Sequence, residues 1–258
     1  MDYKITDSHV HSNFSEDSSV EIKEIVRKAI EKDVDIITFT EHVDFNPLDE
    51  GYKYLTPDKF IEAVKKANEI HQDQIEILAG VEFSEPHLYP KQLKKYNDFD
   101  LDIIIGAIHW IGDHFVGDEK LLDIYSKDEI FLRYYNMVYQ MVKKGEIDVL
   151  AHLDFPKRYL NYEYKNFNLL SQIIRMMIDN DVVLEINTST LRKGFEEPMP
   201  SFWLLSKYKE MGGKKVTIGS DAHRLNEVAT NFDTVYNIIN ELNLTLGYFK
   251  NRKFIAIK

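Results

Sequence analysis

Apolar positions along the chain switch repeatedly between a period of two and a helical period, and the switches set the order of elements. Residues 5–12 read Ile-Thr-Asp-Ser-His-Val-His-Ser, so in an extended strand Asp7, His9 and His11 recur at alternate positions and project to one face. A helix is predicted over 20–32, with Ser19 as cap and Ile22, Ile25, Val26, Ala29 and Ile30 as its apolar stripe. The β-branched run at 34–40 then predicts a buried strand ending in Glu41-His42. Thr56, Pro57 and Asp58 start a helix running to residue 71, because threonine caps, proline suits the first helical position and the acid complements the helix dipole.

The exchange continues to the end of the chain. A strand at 75–81 ends in Glu82, a short helix covers 90–96, and a strand at 102–108 ends in His109. A long helix at 127–144 carries Ile130, Phe131, Tyr134, Met137, Val138 and Met141 at core spacing. Strand 148–151 ends in His152, helix 167–179 leads to strand 182–184 and Glu185-Ile186-Asn187, and helix 201–211 leads to strand 215–219 and Ser220-Asp221-Ala222-His223. A last helix covers 231–242, and residues 253–257 form an apolar tail of no assigned type. Seven strand-then-helix units imply a parallel sheet, and polar residues collecting at strand C-terminal ends favour a closed barrel over an open doubly wound sheet. With no composition shift or long linker, the expectation is a single domain over 1–258.

Composition narrows the chemistry. A length of 258 residues, 44% hydrophobic and 29% charged, is that of an ordinary globular α/β protein. The net charge of −11 disfavours phosphate-backbone binding, so no nucleic-acid partner is expected. No signal-type segment opens the chain and no apolar run approaches the roughly 18 residues of a membrane span, so the cytoplasm is the expected compartment and no membrane contact is expected. Oligomeric state is not legible. Cysteine is absent, so any metal must be held by histidine, aspartate and glutamate.

Six of the nine histidines, His9, His11, His42, His109, His152 and His223, fall at predicted strand C-termini, while His71, His87 and His114 do not. In a parallel barrel those ends share one face, where imidazole and carboxylate suit Zn2+, Mn2+ or Fe2+. Taken singly, an interior histidine is more often hydrogen-bonded than metal-bound; the set, with Glu82, Asp221 and His223, points to a metal centre. Glu41 points away from His42 in an extended strand and reads as a structural acid.

Asp-Ser-His-Val-His at 7–11, Thr-Glu-His at 40–42, Gly-Val-Glu at 80–82, Ala-Ile-His at 107–109, Ala-His at 151–152 and Ser-Asp-Ala-His at 220–223 resemble, in order, the motifs of the PHP (polymerase and histidinol phosphatase) superfamily. Thr-Phe-Thr-Glu-His-Val-Asp-Phe, Ala-His-Leu-Asp-Phe-Pro-Lys-Arg-Tyr and Glu-Ile-Asn-Thr-Ser resemble its histidinol-phosphate phosphatase branch. The resemblance implies a distorted (β/α)7 TIM-like barrel with three divalent metals. One would be held by His9, His11, Glu82 and Asp221; a second would share Glu82 and add His109 and His152; the third would take His42, His223 and Asp17. Asp17 stands where the family commonly has histidine, and its Ser-rich turn also fits a solvated loop.

Clustered divalent ions activate water and clamp phosphate oxygens, so the implied reaction is hydrolysis of a small phosphomonoester, histidinol phosphate by the branch motifs. Arg158 and Arg192 follow strand ends and are candidates for bidentate phosphate contact, with a solvated surface role as the alternative. Glu85 is a candidate acceptor for the amine or imidazole of that substrate, by position, and Glu185 a poorer one. Two other readings stand beside this: a PHP phosphatase on phosphotyrosine or another phosphomonoester, and a non-catalytic or polymerase-associated metal-binding domain. The acidity and the lack of a basic stripe argue against the last.

Overall fold

The computed structural model describes residues 4–162 and 164–257. Its main sheet has nine strands side by side in chain order: β1 Thr6–Val10, β2 Ile36–Val43, β3 Glu76–Ser84, β4 Ile103–Ala107, β5 Val149–Leu150, β6 Val183–Asn187, β7 Lys215–Gly219, β8 Thr245–Lys250 and β9 Lys253–Ala256. Every neighbouring pair from β1 to β8 is parallel, and only β9 runs antiparallel to its partner. Parallel strands need crossovers, and helices Ile22–Glu31, Pro57–His71, Pro90–Tyr96, Lys127–Lys144, Phe167–Asp179, Phe202–Glu210 and Phe232–Leu242 supply them. Strands covered on both faces must be apolar throughout, which is why β4 reads Ile-Ile-Ile-Gly-Ala and is buried at every position.

The helices bury one stripe each. Lys127–Lys144 starts at Ser126, whose hydroxyl accepts from the Glu129 N–H while Glu129 reaches back, and it ends at Gly145 in the left-handed conformation. Its buried Ile130, Phe131, Tyr134, Val138 and Met141 match the spacing in the sequence, each contributing about 1.5–3 kcal/mol by leaving water. The first helix starts later than expected: the cap is Glu21, whose N–H donates to the Glu24 carboxylate at 3.3 Å, and not Ser19.

The apolar tail acquires a type. Asn251 and Arg252, both left-handed at φ 49° and 60°, form a two-residue turn that folds Lys253–Ala256 back onto Thr245–Lys250. Gly247 is required there, since a Cβ would lie 2.3 Å from the Phe254 ring. The strand at 245–250 is absent from the sequence reading because its run is short and interrupted by that glycine.

The C-terminal end of β1 meets the segment after β7. His11 N–H donates to the Ala222 carbonyl at 2.9 Å and Asp221 N–H to the His9 carbonyl at 2.8 Å. The first and the seventh strands thus bring their polar ends together, and the strands between them deliver theirs to the same place.

Candidate metal centre

Glu82 lies at the middle of these strand ends. The register places it directly beside His42 of β2, so an acid and an imidazole 40 residues apart in sequence become cross-strand neighbours. Glu82 Oε2 is 3.1 Å from His42 Nδ1, 3.4 Å from His9 Nε2 and 3.6 Å from His11 Nε2. Its Oε1 is 2.8 Å from His152 Nε2 and 3.4 Å from His109 Nε2. On the other side of His11, Asp221 Oδ1 stands 3.6 Å from His11 Nε2 and 3.7 Å from His223 Nδ1. Asp17, from the loop after β1, places Oδ2 3.0 Å from His223 Nε2 and 3.5 Å from His42 Nε2.

All nine sequence-predicted ligands therefore gather in one cluster. Donor atoms of eight of them fall into three groups, His9 with His11 and Asp221, Glu82 with His109 and His152, and His11 with His42 and His223, each within 4.8 Å, and Asp17 joins through its contacts with His223 and His42. The Nε2 atoms of His9 and His11 are 3.0 Å apart, and those of His42 and His223 are 3.5 Å apart. Two lone pairs at that separation in a buried site need a proton or a cation between them. Nitrogen and oxygen donors without thiolate are the set that Zn2+, Mn2+ or Fe2+ accepts, so the residues fit a divalent metal.

The electrostatics point the same way. Against the upward push of burial, the charges of His9 and His109 hold the Glu82 carboxyl well below its ordinary range, and the His11 contact with the charge of His9 does the same for Asp221. Burial and the neighbouring His42 and His223 push His11 well below the usual imidazole value. Burial opposes but Glu185 and Glu82 together hold His9 well above it. Partial burial of Asp17 is outweighed by hydrogen bonds from His223 and His42, and its pKa is lowered.

The outer nitrogens are fixed by partners. Glu185 Oε1 is 2.6 Å from His9 Nδ1, while its Oε2 accepts from the His152 N–H at 2.9 Å and from the Asn187 amide at 3.2 Å. Gly219 makes room for this contact, since a Cβ there would lie 2.3 Å from Glu185 Oε1 and 2.5 Å from the His9 Cβ. Ser84 Oγ is 3.0 Å from His109 Nδ1, and Ser15 Oγ is 3.3 Å from His11 Nδ1. Such contacts set imidazole tautomer and orientation. Glu185 in this role, Ser15 and Ser84 are missing from the sequence reading; the one usable signal was that Glu185 ends a strand as the ligands do.

Glu41 is the structural acid expected: buried, it accepts from the Ser12 hydroxyl at 2.6 Å and the Ser15 hydroxyl at 2.6 Å, tying the loop that carries Asp17 to β2. Asp7 corrects the expectation of a shared face with His9 and His11. The β1–β2 register is irregular between Asp7 and Val10, and Asp7 turns to accept from the Ser220 N–H at 2.8 Å and the Ala229 N–H at 3.0 Å. His152 and Asp221 adopt left-handed backbone at φ 25° and 54°, a strain that side chains tolerate when the surroundings enforce it.

Above the cluster opens a cleft of about 450 Å³ whose walls include Asp17, His42, Glu82, His109, His152, Asp221 and His223. Arg158 lines it, with Nη1 3.2 Å from Asp221 Oδ2, beside Phe155 and Tyr159. Asp44, Leu48, Asp49, Glu50 and Trp110 also line it. Arg192 and Glu85 do not line this cleft. The Arg192 guanidinium donates to the Ser220 carbonyl and, at 3.0 Å, to the Asp221 carbonyl. Glu85 Oε1 accepts from the His109 N–H at 2.6 Å and the Trp110 N–H at 3.0 Å, and burial pushes its carboxyl up to about 7.

The PHP domain model matches residues 7–189, most of the chain and all but the last strand ends of the cluster. The chain belongs to the PHP domain family. Among PHP relatives, it is 30% identical to a probable histidinol-phosphatase of Clostridium acetobutylicum over 96% of this chain and 98% of that one. It is also 30% identical to a histidinol-phosphatase of Lactococcus lactis over 85% of this chain and 84% of that one. The fold is that of the Lactococcus lactis histidinol phosphate phosphatase solved with zinc, L-histidinol and phosphate, at a TM-score of 0.83, 24% identity, and coverage of 98% and 99% of the two chains. Among the described residues no helix is long and apolar enough to cross a membrane.

Proposed function

We propose that this PHP protein is a metal-dependent phosphatase that converts histidinol phosphate and water into histidinol and phosphate. The observation that carries the reading is the convergence of six histidines around Glu82 and Asp221, with Asp17 against two of them, beneath a cleft lined by Arg158. The histidinol-phosphatase relatives, matched over nearly the whole chain, supply the substrate.

We read the strands as a distorted (β/α)7 barrel in one domain over 1–258, supported by the hydrogen bonds joining the end of β1 to the segment after β7. Three divalent ions, of Zn, Mn or Fe, would be held by His9, His11, Glu82 and Asp221, by Glu82, His109 and His152, and by His42, His223 and Asp17. Bound there, such ions supply Lewis-acid charge to phosphoryl oxygens and lower the pKa of water. The chain's own residues do the rest. Glu185 holds the His9 Nδ1 proton so that Nε2 faces inward. Arg158 offers a planar fork at the cleft, where it can hold two oxygens of a phosphate in line for displacement. Phe155 and Tyr159 flank that fork and limit water around it. Arg192 acts one step back, holding the Ser220 and Asp221 carbonyls and hence the approach of Asp221.

Purified protein assayed against a panel of phosphomonoesters, with elemental analysis of the same preparation, tests the reading. Histidinol phosphate is expected to give the highest kcat/KM, with two to three metal equivalents per chain. A metal-free preparation with full activity, or a preference for phosphotyrosine, overturns it.

A further inference from the structure

Between His152 in the cluster and Arg158 in the cleft, the chain passes through a segment with two faces. Arg158 and Tyr159 line the metal cleft, while Asp154 and Lys157 turn the other way and share a small cavity of about 10 Å³ with Ser201, Phe131 and Tyr164. Both charged residues are buried, Asp154 at 3% exposure and Lys157 at 9%. Charged side chains seldom go this deep, because leaving water costs free energy that only good partners return. Asp154 Oδ2 accepts from the Ser201 N–H at 3.0 Å, yet its Oδ1 has no hydrogen-bond partner among the described residues.

Arg158 is weakly held by its own contacts. Its Nη1 donates to Asp221 Oδ2 at 3.2 Å, and its Nε is buried with no partner among the described residues. The aim of the guanidinium therefore follows from the short helix beneath it, Lys157–Leu160, and four residues do not hold a helix by themselves. Ties from outside hold it. Lys157 Nζ donates to Glu197 Oε2 and to the Pro198 carbonyl, each at 3.4 Å, and Lys127 Nζ donates to the Leu160 carbonyl at 2.8 Å. Asp154 grips Ser201, whose hydroxyl in turn accepts from the Leu204 N–H and caps the helix Phe202–Glu210. Apolar packing is non-directional and would fix only how close this segment lies. Hydrogen bonds also fix its rotation, and the rotation of the short helix decides where Arg158 points.

We propose that Asp154 and Lys157 are positioning residues, which lock the helix bearing Arg158 to the segment at 197–201 and so set the grip on phosphate without touching it. The proposal rests on the reading of Arg158 as the phosphate contact.

A double-mutant cycle on the metal-loaded protein tests it. Asp154→Ala and Lys157→Met are made alone and together with Arg158→Ala, and calorimetric titration with inorganic phosphate is read beside KM and kcat for histidinol phosphate. Each single variant is expected to weaken phosphate binding about tenfold and to raise KM by a similar factor, with metal content unchanged. Once Arg158 is alanine, the same substitutions should add less than about twofold. Asp154→Asn, which keeps an acceptor for the Ser201 N–H, should recover most of the loss. Wild-type phosphate affinity in both single variants overturns the proposal. So does an equal loss with and without Arg158, or a loss of metal, since the two residues would then support His152 or the fold at large. If Asp154→Ala does not fold, the Lys157→Met arm of the cycle decides by the same criteria. Coupling in phosphate binding, from a wild type that does not hydrolyse histidinol phosphate, upholds the positioning role and overturns the substrate. Phosphate affinity unaffected by Arg158→Ala overturns both the phosphate role of Arg158 and this proposal.

Discussion

The deep and outer halves of the metal centre are built differently. In the deep half, His9, His11, Glu82 and His152 are essentially inaccessible and come directly from strands or the residues ending them. Their outer atoms are fixed by Glu185 and Ser15, and the strand register leaves them little freedom. In the outer half, the His42 and His223 side chains are about one-fifth exposed and Asp17 is 51% exposed on a loop. That loop is held by side-chain bonds: Ser12 and Ser15 to Glu41, and the Ser18 hydroxyl to the His223 carbonyl at 3.0 Å. Rigid strands fix a geometry once; a loop on hydroxyl tethers can adjust. Metal bound in the deep half should accordingly be retained and indispensable, and metal bound in the outer half exchangeable.

The largest effect should come from Glu82→Gln, which removes the one charge shared by five imidazoles. Turnover is expected to fall by at least about 1,000-fold, with loss of metal from the deep sites on elemental analysis. Retained metal and activity would end the distinction between the halves. Next is Arg158, placed between them against Asp221. Arg158→Lys keeps the charge without the fork and Arg158→Ala loses both, so kcat/KM should fall in that order, in total by roughly 30- to 1,000-fold. Metal content of the same samples separates lost phosphate contact from a disturbed Asp221, and an alanine variant with wild-type kcat/KM would remove Arg158 from the site.

Asp17→Asn should cost less, on the order of tenfold in kcat/KM, recovered by added Zn2+ or Mn2+ if Asp17 serves only a metal held in the outer half. Loss of every ion in this variant would show that the halves are one unit. The smallest effect expected is for Glu41→Gln, which keeps the size of the side chain but replaces one of the two accepting oxygens by a donor. Stability should fall by about 1–2 kcal/mol in thermal or denaturant unfolding, with a few-fold activity loss that follows weaker retention of metal in the outer half. An effect as large as that of Glu82→Gln would mean the loop is as integral as the strands.

Much of this was legible in the chain. The alternation of strand and helix periods fixed the parallel sheet and nearly every helix boundary, with Lys127–Lys144 and Phe167–Asp179 matching to the residue. The ligands were legible because a parallel sheet sends all strand C-termini to one face, whatever the tertiary details. What a period cannot say is what lies across from a residue. Asp7 had the right spacing and still turned away, since a local break in register and two free N–H groups at Ser220 and Ala229 offered it a better place. Arg192 had the right position after a strand, yet two carbonyls claimed its guanidinium.

By itself, then, the sequence determined the order of elements, the apolar faces and the set of groups able to meet at the strand ends, because each follows from local periodicity and one topological rule. Only the tertiary structure decided that Glu185 orients His9, that Asp17 reaches His42 and His223, that residues 245–256 add a strand and a hairpin arm to the sheet, and that Asp154 meets Ser201. Each of these depends on contacts between segments far apart in the chain, where loop path and register set distances that local spacing does not encode.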